Sequence, residues 1–167
     1  TSRDDWAELI QSLRNQGRAP GDTWLQHTHL GYNYRLDEMS AALGAAQLER
    51  FDELLRRRAR VADWYNERIA EIPGVSALPM APTTTVMSWF VYVVRCDDAI
   101  DRDALMQALQ ARGVPSRPYF TPIHLQPFYR QSCNTSPGMC PIAESISQRT
   151  LALPFYNRLD ATQIELI

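Results

Sequence analysis

The chain has 167 residues, enough for one domain with a real core, and a formal charge of −2 that gives no electrostatic case for nucleic acid or a membrane surface. All 17 cationic residues are Arg and none is Lys, so these residues offer no side-chain amine for covalent chemistry. Cys96, Cys133 and Cys140 are odd in number and lack zinc-ligand spacing, the run 86–94 is too short to span a bilayer, and no signal peptide is visible, which together read as a cytosolic protein with reduced thiols.

In chain order, Ser2-Arg3-Asp4-Asp5 resembles a capping box with Asp5 in place of the usual Glu or Gln. Trp6, Leu9, Ile10 and Leu13 follow at helical spacing, and Gly17 is the stop signal. Residues 18–27 read as a loop turning at Pro20-Gly21-Asp22. His27 and His29 share a face of any extended segment, but two imidazoles without further ligands do not make a metal site.

The stretch 29–38 is the densest in polar chemistry. Gly31 permits a backbone path that a Cβ would obstruct. Asp37 is a natural N-cap, and with Glu38 it sets negative charge at the positive end of a helix dipole. Asn33 and Arg35 lie just ahead of that end, where an amide and a forked cation suit a phosphate. The plain alternative is a helix entry whose polar residues only cap and solvate.

From 37 to 72 the pattern predicts one long helix, ended by Pro73-Gly74. A helix of that length suggests a connector between lobes or a packing surface for a second subunit, and Ala41, Ala42, Ala45 and Ala46 would allow close approach. Arg56, Arg57, Arg58 and Arg60 read as a solvated face. A connector over 79–85 precedes a predicted strand at 88–95, with Trp89 read as core. Asp101 caps the next predicted helix, with Ile100 and Leu105 as a hydrophobic staple. Further strands are predicted at 116–120 and 151–154, separated by a turn at 121–124, a polar loop at 131–138 and a helix at 141–150. Asp160 caps a last helix that stops at Ile167, and both ends have the look of a cut from a longer protein. The layout is α/β.

Five motifs in one order carry a family resemblance: Gly31-Tyr-Asn-Tyr-Arg-Leu36, Ser40-Ala-Ala-Leu-Gly-Ala-Ala-Gln-Leu48, Ser88-Trp-Phe-Val-Tyr-Val-Val94, Arg117-Pro-Tyr-Phe-Thr-Pro-Ile-His124 and Leu151-Ala-Leu-Pro-Phe-Tyr156. The chain resembles the C-terminal part of the DegT/DnrJ/StrS family of sugar aminotransferases, and within it the perosamine-synthase-like branch. The loop between Cys133 and Cys140 departs from the family pattern, so substrate detail is not carried over there.

The resemblance implies the small C-terminal domain of a fold-type I enzyme dependent on pyridoxal 5′-phosphate. It implies residues 1–36 as the end of a large cofactor domain, 37–72 as a connecting and interface helix, and 73–167 as a small α/β domain. It implies amino transfer from glutamate to a nucleotide-linked 4-keto-6-deoxy sugar in a cytoplasmic homodimer. The family anchors its cofactor on a Lys that lies upstream of these residues, so this chain alone should be inactive. Residue by residue, Asn33 matches a cofactor-phosphate ligand that serves the neighbouring subunit, and Arg35 supports that loop or a substrate phosphate. His124 matches a residue on the sugar side, with Tyr119 and Arg117 beside it. Each has a plain alternative: His124 as a satisfied turn residue, Arg117 as half of a structural ion pair. A non-catalytic regulatory or binding protein of the same fold, and a sugar dehydratase with His in place of the Lys, are the rival readings.

Overall fold

Three of the helices start where an Asp supplies an oxygen to hold the free N–H groups of a first turn. Asp37 accepts from the Ser40 amide at 2.9 Å, Asp101 from Asp103 and Ala104 at 2.9 and 3.0 Å, and Asp160 from Gln163 at 2.9 Å in a full capping box. At the first helix the expected box does not form. Arg3 is the residue before the helix and has no side-chain oxygen with which to cap it, and Asp5 is taken by the Arg3 guanidinium at 2.5 Å.

The computed structural model describes residues 1–167, which fall into two compact units, Thr1–Phe51 and Asp52–Ile167. The helices are α1 (Asp4–Arg14), α2 (Glu38–Glu49), α3 (Phe51–Ile69), α4 (Arg102–Ala111), α5 (Pro127–Ser132), α6 (Pro141–Arg149) and α7 (Ala161–Leu166), with a 3₁₀ turn at Ile123–Leu125. The strands are β1 (Val75–Ala77), β2 (Tyr92–Cys96), β3 (Arg117–Pro118) and β4 (Thr150–Leu153). The single helix expected over 37–72 is therefore two, broken at Arg50 (φ −105°, ψ 9°), whose amide folds back onto the Gln47 and Leu48 carbonyls.

In the first unit α1 runs into a tight crossing of its own chain. Gly17 (φ 82°) takes the left-handed conformation, and its backbone lies directly against Gly31. A Cβ on Gly31 would sit 2.1 Å from the Gly17 nitrogen, and one on Gly17 would sit 1.8 Å from the His29 carbonyl oxygen. Both glycines are thus required by contact between two distant stretches of sequence. The Tyr32 amide donates to Leu13 at 2.6 Å and the Tyr34 amide to Arg14 at 2.8 Å, so residues 32–34 are laced to the end of α1.

The second unit is built on a four-stranded antiparallel sheet in the order β1-β2-β4-β3. Val94 pairs with Ala77 on one side and Leu151 on the other, and Arg117 pairs with Ala152. Three strands were predicted; β1 is an addition. Strand β2 begins at Tyr92 and not at 88 because Trp89 has φ 50°, which breaks an extended run. Val61, Ala62, Tyr65 and Ile69 of α3 form one core with Tyr92, Val94, Cys96, Leu151 and Leu153. The Tyr65 hydroxyl donates to the Pro154 carbonyl at 2.6 Å, and the Tyr92 hydroxyl to Asn66 Oδ1 at 2.6 Å. Burial pushes the Tyr92 phenol up to about 12 and raises Tyr65 as well, so both remain hydroxyl donors. Trp89 stacks on Tyr92 at 5.7 Å and is packed against this core, as its sequence context predicts. Arg56, Arg57 and Arg60 are exposed, whereas Arg58 is half-buried and donates to the Trp89 carbonyl at 2.7 Å.

Candidate functional site

Two groups of polar side chains stand out, one in each unit. The first is centred on the residues ahead of α2. Asn33 bridges to Asn15 at the end of α1, a pairing that fixes the backbone of the motif. Arg35 donates from Nε to Asn33 Oδ1 at 3.1 Å and from Nη1 to Asn15 Oδ1 at 3.4 Å. Two amide oxygens therefore aim the guanidinium, and the Asn33 amide nitrogen is left with both its donors. Arg35 also lines a cavity of about 580 Å³ with Arg14, Asn15, Arg18 and Trp24, so three cations face one space. Asn33 does not line it. Tyr32 and Tyr34 stack at 5.1 Å on the exposed side of the same strand-like segment. Behind it, the buried Ser12 hydroxyl meets His29 Nδ1 at 2.9 Å, and His27 Nδ1 meets the Gln16 carbonyl at 2.7 Å. His29 thus holds the loop to α1, and His27 holds it to the turn that follows the helix.

The second group surrounds His124. The turn Ile123–Leu125 presents the ring to α6, where Nε2 lies 2.8 Å from Glu144 Oε1. Glu144 also accepts the backbone N–H groups of Gly138 (2.8 and 3.0 Å) and Cys140 (3.2 Å). The Gly138 amide first, then the His124 ring, hold this carboxyl below its ordinary value. The Thr135 hydroxyl donates to the His124 carbonyl at 2.6 Å, so the loop between α5 and α6 is tied to the turn here and to α6 through Glu144. His124, Tyr119, Tyr129, Thr135 and Cys140 line one cavity of about 600 Å³.

Of the residues singled out from sequence, Tyr119 and His124 are brought to that cavity together. Arg117 is not: it is exposed on β3 and lines a separate hollow with Asp103, Met106 and Gln107 of α4. It makes no ion pair, so the structural pairing weighed for it is not formed. Asn15 and Glu144 were missed from sequence. Nothing local marks them, since each acts on a residue about twenty positions away.

The family model described as the DegT/DnrJ/EryC1/StrS aminotransferase family matches residues 1–167. A GDP-perosamine synthase of Caulobacter vibrioides is 33% identical over 169 residues, covering 100% of this chain and 44% of that protein. Among solved structures, S. venezuelae DesV in complex with a ketimine intermediate superposes with a TM-score of 0.85 at 33% identity, over 99% of this chain and 43% of DesV. DesI, solved in the presence of its TDP-sugar product, superposes with a TM-score of 0.79 at 30% identity, over 98% of this chain and 41% of DesI. The chain spans less than half the length of these relatives.

Proposed function

The chain belongs to the DegT/DnrJ/EryC1/StrS aminotransferase family, and from that premise we propose that it is the C-terminal part of an enzyme dependent on pyridoxal 5′-phosphate that moves an amino group from glutamate to a nucleotide-linked 4-keto-6-deoxy sugar. The observation that carries the reading is the match to a GDP-perosamine synthase along the whole chain.

The residues present suit the cofactor. Its phosphate needs donors and positive charge, and the cluster ahead of α2 offers the free Asn33 amide beside an Arg35 guanidinium already aimed by Asn15 and Asn33. When bound, the cofactor supplies the electron sink for amino transfer. This chain has no Lys, so the amine that anchors the cofactor comes from a segment outside these residues. On the sugar side, His124 and Tyr119 share a cavity whose aromatic wall and single imidazole acceptor suit a pyranose ring and its hydroxyls. Arg117, on its own surface, would meet the charged nucleotide end.

The protein acts as a cytoplasmic homodimer in this reading. No helix is long and apolar enough to cross a membrane. Helix α2 is apolar yet buries no residue, with Met39 85% and Leu48 72% exposed, which is the character of a helix that another surface covers. Full-length protein given glutamate and such a sugar should yield the amino sugar, detected by mass spectrometry. A dehydrated sugar would reassign it to the branch with His in place of Lys, and no turnover of any kind would favour a regulatory or binding role.

A further inference from the structure

Glu144 has no role in the reading above, yet it is the most heavily used carboxylate in the second unit. One oxygen, Oε1, takes His124 Nε2 at 2.8 Å, Gly138 N–H at 2.8 Å and Cys140 N–H at 3.2 Å. The side chains of His124 and Glu144 are only 14% and 18% exposed, so water competes weakly for this pair. An ionised carboxylate can only accept, and the Gly138 amide first, then the His124 ring and the Cys140 amide, favour the ionised form of Glu144. The proton of the pair therefore belongs to His124 Nε2. In the neutral ring, Nδ1 is then a bare acceptor, and it makes no hydrogen bond within the chain. The ring borders the cavity shared with Tyr119, Thr135 and Cys140.

We propose that Glu144 is a positioning residue that fixes His124 as the Nε2–H tautomer, so that Nδ1 is presented to the cavity as an acceptor for a hydroxyl of the sugar substrate. This rests on the assignment of a nucleotide-sugar substrate. The same carboxylate holds Gly138 and Cys140, so the ring and the loop that walls the cavity are set by one group. Without Glu144 either tautomer becomes available, and Nδ1–H would turn a donor toward a hydroxyl that could otherwise donate.

The test has two arms on the full-length protein. First, nitrogen-15 NMR of histidine-labelled protein reads the tautomer directly, before any substrate is added. The proposal expects an unprotonated Nδ1 on neutral His124; an Nδ1–H resonance overturns it, whatever the enzyme does. Second, Glu144→Gln keeps an acceptor for the loop amides but no longer dictates the tautomer. It should raise KM for the nucleotide sugar about tenfold, the cost of one misplaced hydrogen bond, with KM for glutamate unmoved. Equal effects on both KM values, or on neither, would overturn the sugar contact. Circular dichroism checks that the variant folds; if it does not, the tautomer in unmodified protein decides alone. Should no sugar be aminated at all, the functional assignment fails while the tautomer result still stands on its own.

Discussion

Gly31 shows how a single residue type can be demanded by a partner far away in sequence. Its Cβ is excluded by the Gly17 backbone, and Gly17 in turn is held at φ 82°. Replacing Gly31 by Ala should cost roughly 2–4 kcal/mol in denaturant unfolding, because backbone and not a flexible side-chain tip must move. A change under about 0.5 kcal/mol would show that the crossing is loose. That Gly31 needed to be Gly was legible from the motif; that Gly17 is the reason was not, because nothing in either local sequence records the crossing. Glu144 gives a second residue-scale prediction. Its folded pKa is depressed, so its contribution to stability is present above the ordinary carboxylate range and is lost as pH falls through the folded value. Thermal unfolding followed from neutral pH down through pH about 4 should show an acid loss that Glu144→Gln reduces. An unchanged acid slope in the variant would remove Glu144 from the linkage. The Asp37 cap was fully readable, since an N-cap is a local device.

At the scale of elements, capping and apolar spacing located the helices well, and strands less so. The break at Arg50 has neither Gly nor Pro to announce it. It separates α2, which buries nothing, from α3, whose Val61, Ala62, Tyr65 and Ile69 face the core. Those are two helices with different tasks, and a single hydrophobic period cannot distinguish them. Strand β1 has only three residues and gains its identity from pairing with β2, so its own sequence is too short to signal it. The core they build is sharply testable. Leu151 is completely buried, and Leu151→Ala should cost about 2–5 kcal/mol in chemical denaturation. Tyr65→Phe removes only an oxygen, but it leaves the Pro154 carbonyl without its 2.6 Å partner and should cost about 1–3 kcal/mol. If the phenylalanine variant proved as stable as the parent, water must satisfy that carbonyl in its place.

At the scale of the whole molecule, the candidate site was legible in part. The Asn33 and Arg35 motif and the pairing of Tyr119 with His124 could be read from sequence, while the residues that aim them, Asn15 and Glu144, come from other elements. From the family resemblance we propose that this chain completes a cofactor site in a second subunit, with Asn33 supplied across a two-fold interface. Such sharing is reciprocal, so each subunit would both lend and receive an Asn. Mixing two variants of the full-length protein tests this directly: one without the cofactor-anchoring Lys, the other carrying Asn33→Asp, which sets negative charge against the phosphate. Each should be nearly inactive by itself. In the mixed dimer, sharing places both defects in one site and leaves the other intact, so roughly half of wild-type activity should return. If Lys and Asn33 serve the same subunit's site, every site keeps one defect, and purified mixed dimers that regain no activity would contradict the claim.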